Sequence, residues 1–239
     1  MATRRRVRIA LLLAVLLLAI AGGTVAILKI SKARCFTLVG DAICRVETTE
    51  KLVALTFDDG PTAEGVEAVI PLLDRYRAKG TFFLIGERIT APLVQRIAAA
   101  GHEIGNHSFN HHRMVFRKSS FYDAEIRRTD AVLVAAGAPR PTLVRPPFGK
   151  KLIGLPLAVE RSGKRMIMWD SGDAPDRDPN AYARKILDQV HPGSIVLIHP
   201  MYSGNATERA ALPLIVDGLA RRGFRMVTVS ELLSRQPPG

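Results

Sequence analysis

The stretch Lys51 to Pro61, KLVALTFDDGP, decides how the rest of the chain is read. From Leu52 to Phe57 it is apolar except for one threonine, and its Leu, Val, Thr and Phe suit a buried strand. It stops at Asp58-Asp59-Gly60-Pro61, residue types that punctuate a chain. Two carboxylates at the mouth of a hydrophobic strand are costly unless charge or hydrogen bonds compensate them. A bound cation would do so, and so would a turn that leaves both in water.

Downstream of this strand the pattern repeats. A helix is expected from about Gly65 to Lys79, a strand at Thr81 to Ile85, and a helix from about Pro92 to Ala100. A short strand Glu103 to Gly105 follows, then a helical period over Phe121 to Ala136 that stops at Gly137. Leu143-Val144 reads as a strand, Leu152 to Ser162 as a helix and Met166 to Trp169 as a strand. Asp178-Pro179 has the form of an N-cap followed by proline at the first helical position, opening a helix to about Gln189. Ser194 to Ile198, Glu208 to Arg222 and Arg225 to Val229 complete the series as strand, helix and strand. Strands alternating with helices predict an α/β fold with a parallel sheet, either a barrel or an open doubly wound sheet. In such folds chemistry gathers at the carboxyl ends of the strands. Asp58, Asp59, His107, Arg145, Asp170, Asp173 and His199 all fall there.

Upstream, Ile9 to Leu28 carries no charge and is almost wholly Leu, Ala, Ile and Val. Twenty helical residues span about 30 Å, the hydrocarbon thickness of a bilayer. Residues 1–8 are a basic end, with Arg4, Arg5, Arg6 and Arg8, and the positive-inside rule holds that end in the cytoplasm. Residues 9–30 are therefore expected as a transmembrane signal-anchor, residues 31–48 as a stalk, and residues 49–235 as a domain across the membrane, periplasmic or extracellular. Ala19-Ile20-Ala21 leaves a cleaved, secreted form open. Of the net charge of +12, seven cationic side chains and no acids lie in residues 1–34, so the remainder is only mildly basic. That balance suits an anionic envelope surface and gives no argument for nucleic acid; no protein partner is evident. Cys35 and Cys44, the only cysteines, could close a small loop in an oxidising compartment.

His107 and His111 are four apart, so on a helix both imidazoles could reach one ion. Two histidines and a carboxylate with an open position for water form the ligand set of hydrolytic zinc sites. With His199 after its strand, these pieces in this order resemble the polysaccharide deacetylases of the NodB-homology group, carbohydrate esterase family 4. The resemblance rests on TFDDG at 56–60, His107-Ser108-Phe109-Asn110-His111, Arg145-Pro146-Pro147-Phe148-Gly149 and Leu197-Ile198-His199, and covers roughly residues 50 to 235. It implies a distorted (β/α) barrel that removes the N-acetyl group of an amino sugar in a cell-envelope or extracellular polysaccharide.

It further implies that Asp59, His107 and His111 bind a divalent metal, Zn²⁺ by preference, and that Asp58 is the general base. His199 becomes the acid, and the Phe148 backbone N–H stabilises the oxyanion. Arg145 pairs with Asp58, Asp173 with His199, and Leu197 lines a pocket for the acetyl methyl. One motif departs from the family pattern. Asp173-Ala174 stands where Asp-Trp is usual, so Asp170 rivals Asp173 and one wall of the groove lacks its tryptophan. A glycan-binding module without catalysis is the alternative, as is the same chemistry on a lipid-linked or formylated amino sugar.

Overall fold

The computed structural model describes residues 2–173 and 175–236, so the Ala174 half of the departing motif lies outside the described residues. The eight strands are β1 (Leu52–Gly60), β2 (Thr81–Leu84), β3 (Glu103–Asn106), β4 (Leu143–Val144), β5 (Arg165–Met166), β6 (Ser171–Gly172), β7 (Ile195–Ile198) and β8 (Arg225–Val227). They form one sheet in the order β5-β4-β3-β2-β1-β7-β6, with β8 paired to the start of β1. Every strand pairing is parallel. The helices are α1 (Ala2–Lys32), α2 (Ala63–Arg75), α3 (Ala91–Ala99), α4 (Ser119–Ala135), α5 (Gly154–Arg161), α6 (Pro179–Gln189), α7 (Ala206–Arg221) and α8 (Val229–Leu233).

The period of two along β1 sorts the interior into layers. Val53, Leu55 and Phe57 join Val66 and Val69 of α2, Ile97 of α3, Ile186 of α6 and Ile215 of α7 in the core between sheet and helices. Leu52 and Ala54 join Phe83, Ile195, Leu197 and Trp169 in a second cluster on the opposite face. Thr56 and Asp58 continue that second row, so alternation alone carries the Asp58 side chain to the concave side. Tyr122 and Ile126 of α4, with Leu155 and Val159 of α5, close a third cluster over Val144 and Met166.

Residues 31–48, expected as a stalk, contribute to the sheet. Ile43 forms a parallel bridge with Ile167 beyond β5, and Arg45 an antiparallel bridge with Ser194 before β7. Cys44 and Val46 are buried between them, and Cys44 is disulfide-bonded to Cys35. The segment thus spans the gap between the two flanks of an incompletely closed barrel. Its backbone groups are satisfied there, with Ile43 N–H donating to Met166 O (3.0 Å) and Met168 N–H to Ile43 O (2.7 Å).

α1 begins at Ala2 and takes in the basic residues expected to precede it. From Arg4 to Lys32 it is long and apolar enough to cross a membrane, and none of its most apolar stretch is buried against the domain. Its end is nevertheless tied down. Lys151 N–H donates to Ser31 O at 2.9 Å, and Lys151 Nζ donates to Ala33 O.

Candidate active site

A cavity of about 280 Å³ opens at the carboxyl end of the sheet, lined by Asp58, Asp59, His107, His111, Pro146, Phe148, Gly149, Trp169, Asp173, Leu197 and His199. Of the ten residues singled out in the sequence, eight line it, Arg145 adjoins it through its bond to Asp58, and Asp170 does not line it.

Consecutive residues of a strand point to opposite faces, yet Asp58 and Asp59 both face this cavity. A bulge reconciles the two. The pairing of β1 with β2 shifts register between Asp58 and Gly60, leaving Asp59 as the extra residue with φ of 72°. The bulge turns its carboxylate to the side that Asp58 already occupies.

His107 and His111 are brought together by a loop, not by a helix. Ser108 and His111 both have positive φ, 64° and 55°. Side chains take over the backbone bonding: Asn106 Oδ1 accepts from Ser108 N–H (2.9 Å), and Ser108 Oγ accepts from His111 N–H (3.1 Å). The Glu125 carboxylate accepts from the N–H groups of Phe109 and Asn110 at 2.9 and 3.0 Å. His112 turns away to pack against Phe121, ring centroids 6.3 Å apart.

Among the described residues seven other than glycine have positive φ, and four of them, Asp59, His111, Phe148 and Asp173, line this one cavity. Such conformations cost of order 1–3 kcal/mol each and persist where the surroundings over-determine them. Gly172 (φ 100°) serves the same purpose, since a Cβ there would lie 2.2 Å from Leu197 O.

His107 Nδ1 lies 2.9 Å from Arg145 O. A carbonyl only accepts, so Nδ1 carries the proton and Nε2 presents a lone pair when the ring is neutral. That lone pair faces Asp59 Oδ1 at 3.5 Å and Asp58 Oδ2 at 3.6 Å, and His111 Nε2 lies 3.1 Å from the same Asp59 oxygen. Asp59 Oδ1 is buried and has no hydrogen-bond donor among the described residues. One ligand atom from each of Asp59, His107 and His111 falls within 4.8 Å of the others. A carboxylate oxygen left without a donor beside two imidazole nitrogens fits a divalent cation.

The electrostatics agree. Burial pushes the Asp59 carboxyl up, but His107 and His111 outweigh it and hold the group far below the usual carboxylate range. Burial pushes His107 down, and Asp58 and Asp59 more than reverse that. Arg145 is fully buried, which lowers its pKa, while Asp58 opposes the shift. Its guanidinium donates to Asp58 Oδ1 (2.8 Å), Thr56 Oγ1 (2.6 Å) and Met168 O (2.9 Å), and sits 4.2 Å over the Phe83 ring. Arg145 and Asp58 form the pair that the family resemblance implied.

The expected pairing of Asp173 with His199 does not form. Asp173 is 47% exposed and pairs with Arg34 at 3.2 Å. Asp170, its rival, is occupied by His191 (2.9 Å), Ser194 and the Ile195 N–H. Glu208, in the first turn of α7, stands beside His199 instead. Its Oε2 is 3.7 Å from Nδ1 and accepts from the His199 N–H at 2.5 Å. Burial would lower the His199 pKa, but Glu208, Asp58 and Asp59 raise it to about 9. Sequence reasoning missed Glu208 because a glutamate in a first helical turn is ordinary dipole chemistry. Its place nine residues after His199, across one loop, was the available signal. The groove wall thought to lack a tryptophan has one: Trp169 lines the cavity, packed over Gly149.

The polysaccharide deacetylase family model matches residues 45–167. A peptidoglycan-N-acetylglucosamine deacetylase of Bacillus cereus is 34% identical over 195 residues, covering 79% of this chain and 91% of that protein. The peptidoglycan-N-acetylmuramic acid deacetylase PdaC of Bacillus subtilis is 31% identical over 78% of this chain and 40% of its own length. Among solved structures, a family 4 acetyl xylan esterase from Clostridium thermocellum in complex with a cobalt ion superposes with a TM-score of 0.70 and 29% identity, covering 77% of this chain and 90% of that one.

Proposed function

Because the chain belongs to the polysaccharide deacetylase family, the NodB-homology group of carbohydrate esterase family 4, we propose that it hydrolyses the N-acetyl group of an amino sugar in cell-wall glycan, with peptidoglycan the first substrate to test. The observation that carries this reading is the meeting of acceptor atoms from Asp59, His107 and His111 beside a second carboxylate that a buried arginine neutralises.

Asp59, His107 and His111 would hold a divalent ion, Zn²⁺ being the ion this donor set suits. When bound, it supplies a water acidic enough to ionise near neutral pH and a Lewis acid for the amide carbonyl. Asp58 takes a proton at Oδ2, the oxygen that Arg145 leaves free. Arg145, locked by four acceptors, keeps that carboxylate in one orientation. Phe148 is the second residue of a 3-10 turn that opens at Pro147, so its N–H has no acceptor within that turn and is free for the oxygen of the attacked carbonyl. His199 hands a proton to the departing nitrogen, which would otherwise leave as an amine anion. Glu208 favours the protonated ring and fixes its orientation. Leu197 and Trp169 form walls against which the acetyl methyl and a sugar ring pack. α1 anchors the protein in a membrane, with the domain on the side opposite Arg4 to Arg8.

Metal-loaded full-length protein should release acetate from N-acetylated peptidoglycan or chitin oligomers, with lipid-linked and formylated amino sugars screened alongside. Asp58→Asn should cut the rate about 10²–10⁴-fold, the usual share of a general base. Chelation should abolish turnover and Zn²⁺ restore it. Acetate release that survives both treatments overturns the mechanism; binding of glycan by metal-loaded protein with no release at all returns the chain to the binding-module reading.

A further inference from the structure

A second cavity, of about 400 Å³, adjoins the first and shares Phe148, Trp169 and Asp173 with it. Its other walls are Lys32, Arg34, Arg113 and Lys150. Four cations and one carboxylate thus face one space, and that carboxylate is already paired with Arg34 at 3.2 Å. Among the described residues no acid pairs with Lys32, Arg113 or Lys150. The Arg34 guanidinium lies 5.4 Å over the Trp169 ring, and that of Arg113 lies 5.7 Å over Phe148. Lys150 titrates below the usual lysine range through slight burial and the nearby charges of Arg113 and Lys32. Like charges held this close repel one another, and an anion among them relieves the repulsion.

The cations are placed by structure on three sides. Arg34 precedes Cys35, which the disulfide ties to the buried Cys44. Lys32 ends α1, whose last turn is held through Ser31 and Ala33 by the buried Lys151. Lys150 follows the turn that carries Phe148, and Arg113 follows the histidine loop. Aromatic faces with cations at their edges suit a sugar ring that carries an acidic group.

We propose that this basic cleft is a subsite for an acidic substituent, a carboxylate or a phosphate, on the glycan next to the sugar being deacetylated. The proposal rests on the deacetylase reading of the neighbouring cavity. It makes the end of α1 part of substrate recognition as well as a tether, so acidic glycans are preferred over neutral ones of equal length.

The test compares two oligosaccharides of equal length on full-length protein in detergent. One is a neutral N-acetylglucosamine oligomer; the other alternates N-acetylglucosamine with N-acetylmuramic acid and so carries carboxylates. A third arm uses an oligomer bearing phosphate. In Arg113→Gln/Lys150→Gln the ratio of kcat/KM on acidic to neutral substrate should fall about tenfold, mostly through KM, the scale of two exposed ion contacts. The ratio should also drop with added salt in the wild type and barely change in the variant. A ratio unchanged by the double substitution overturns the proposal. So does loss of binding to vesicles containing anionic lipid with the glycan ratio intact, which assigns the cleft to headgroups. If the wild type deacetylates neither oligomer, the activity reading fails separately. Calorimetric binding of the acidic and neutral oligomers to both proteins then decides the subsite, and equal affinities overturn it.

Discussion

Two buried histidines flank β3, five residues apart, and their surroundings pull in opposite directions. His102 stands at the amino end of the strand. Its Nδ1 accepts from the Gly80 N–H at 3.2 Å, its ring packs 5.3 Å from that of Phe82, and its Nε2 has no partner among the described residues. Burial first, and Lys79 second, lower its pKa to about 4, with Asp74 opposing. His107 stands at the carboxyl end, buried more deeply still, and Asp58 and Asp59 raise its pKa despite that burial. The residue type is the same and the strand is the same; only the company differs. At one end the fold hides a neutral ring in apolar surroundings. At the other it gathers two carboxylates, two imidazoles and a buried guanidinium. A histidine at a strand's end therefore says little until its neighbours are known, and a surplus of acceptors distinguishes a candidate ion site from a buried ring.

The harshest way to break the contrast is to remove the cation beneath the carboxyl end. Arg145→Met leaves Asp58 buried without its partner, and should cost about 3–5 kcal/mol of stability. Chemical denaturation of metal-free wild type and variant would read the loss, and a variant as stable as wild type would mean that Asp58 does not need the arginine in the fold. The amino end is tested by acid. The folded-state pKa of His102 lies below its ordinary value of 6.5, so the native protein binds fewer protons than the unfolded chain between about pH 6.5 and 4. Stability contributed by this group is full above that window and lost as pH falls through it, by at most about 3 kcal/mol. His102→Gln should flatten that slope in melting temperatures taken from pH 7 to 4; an unchanged slope would show that the ring protonates freely in the fold. The smallest effect belongs to Glu208. Glu208→Gln should slow acetate release about tenfold and move the alkaline limb of the rate profile to lower pH, because the partner that raises the His199 pKa is gone. A tenfold loss with an unmoved limb would reduce Glu208 to a structural cap on the His199 backbone.

How much of this was legible depended on distance along the chain. The β–α alternation, the strand opening at Leu52 and the Asp178 cap were readable because each rests on neighbouring residues. The order of TFDDG, the histidine pair, Arg145 and His199 was readable as a family pattern, and the structure brings those residues to one cavity. The helical spacing of His107 and His111 misled, because four residues apart can also be bridged by a loop with two positive-φ turns. Two-residue β6 and the bridging of Ile43 and Arg45 carried no local signal, since single ladder pairs need a partner that only folding supplies. Residues 31–48 looked like a stalk for the same reason.

From its sequence alone the chain determined its alternating α/β frame, its long apolar helix and the cast of side chains at the strands' carboxyl ends. Periodicity, composition and order are local properties, and they survive without knowledge of contacts. Tertiary structure decided the rest: that a bulge turns Asp59 beside Asp58, that Glu208 replaces Asp173 as the partner of His199, and that Lys32 and Arg34 line a cavity adjoining the one that holds both aspartates. Each of those depends on through-space distances of a few ångströms between residues far apart in the chain. No spacing along a sequence encodes them.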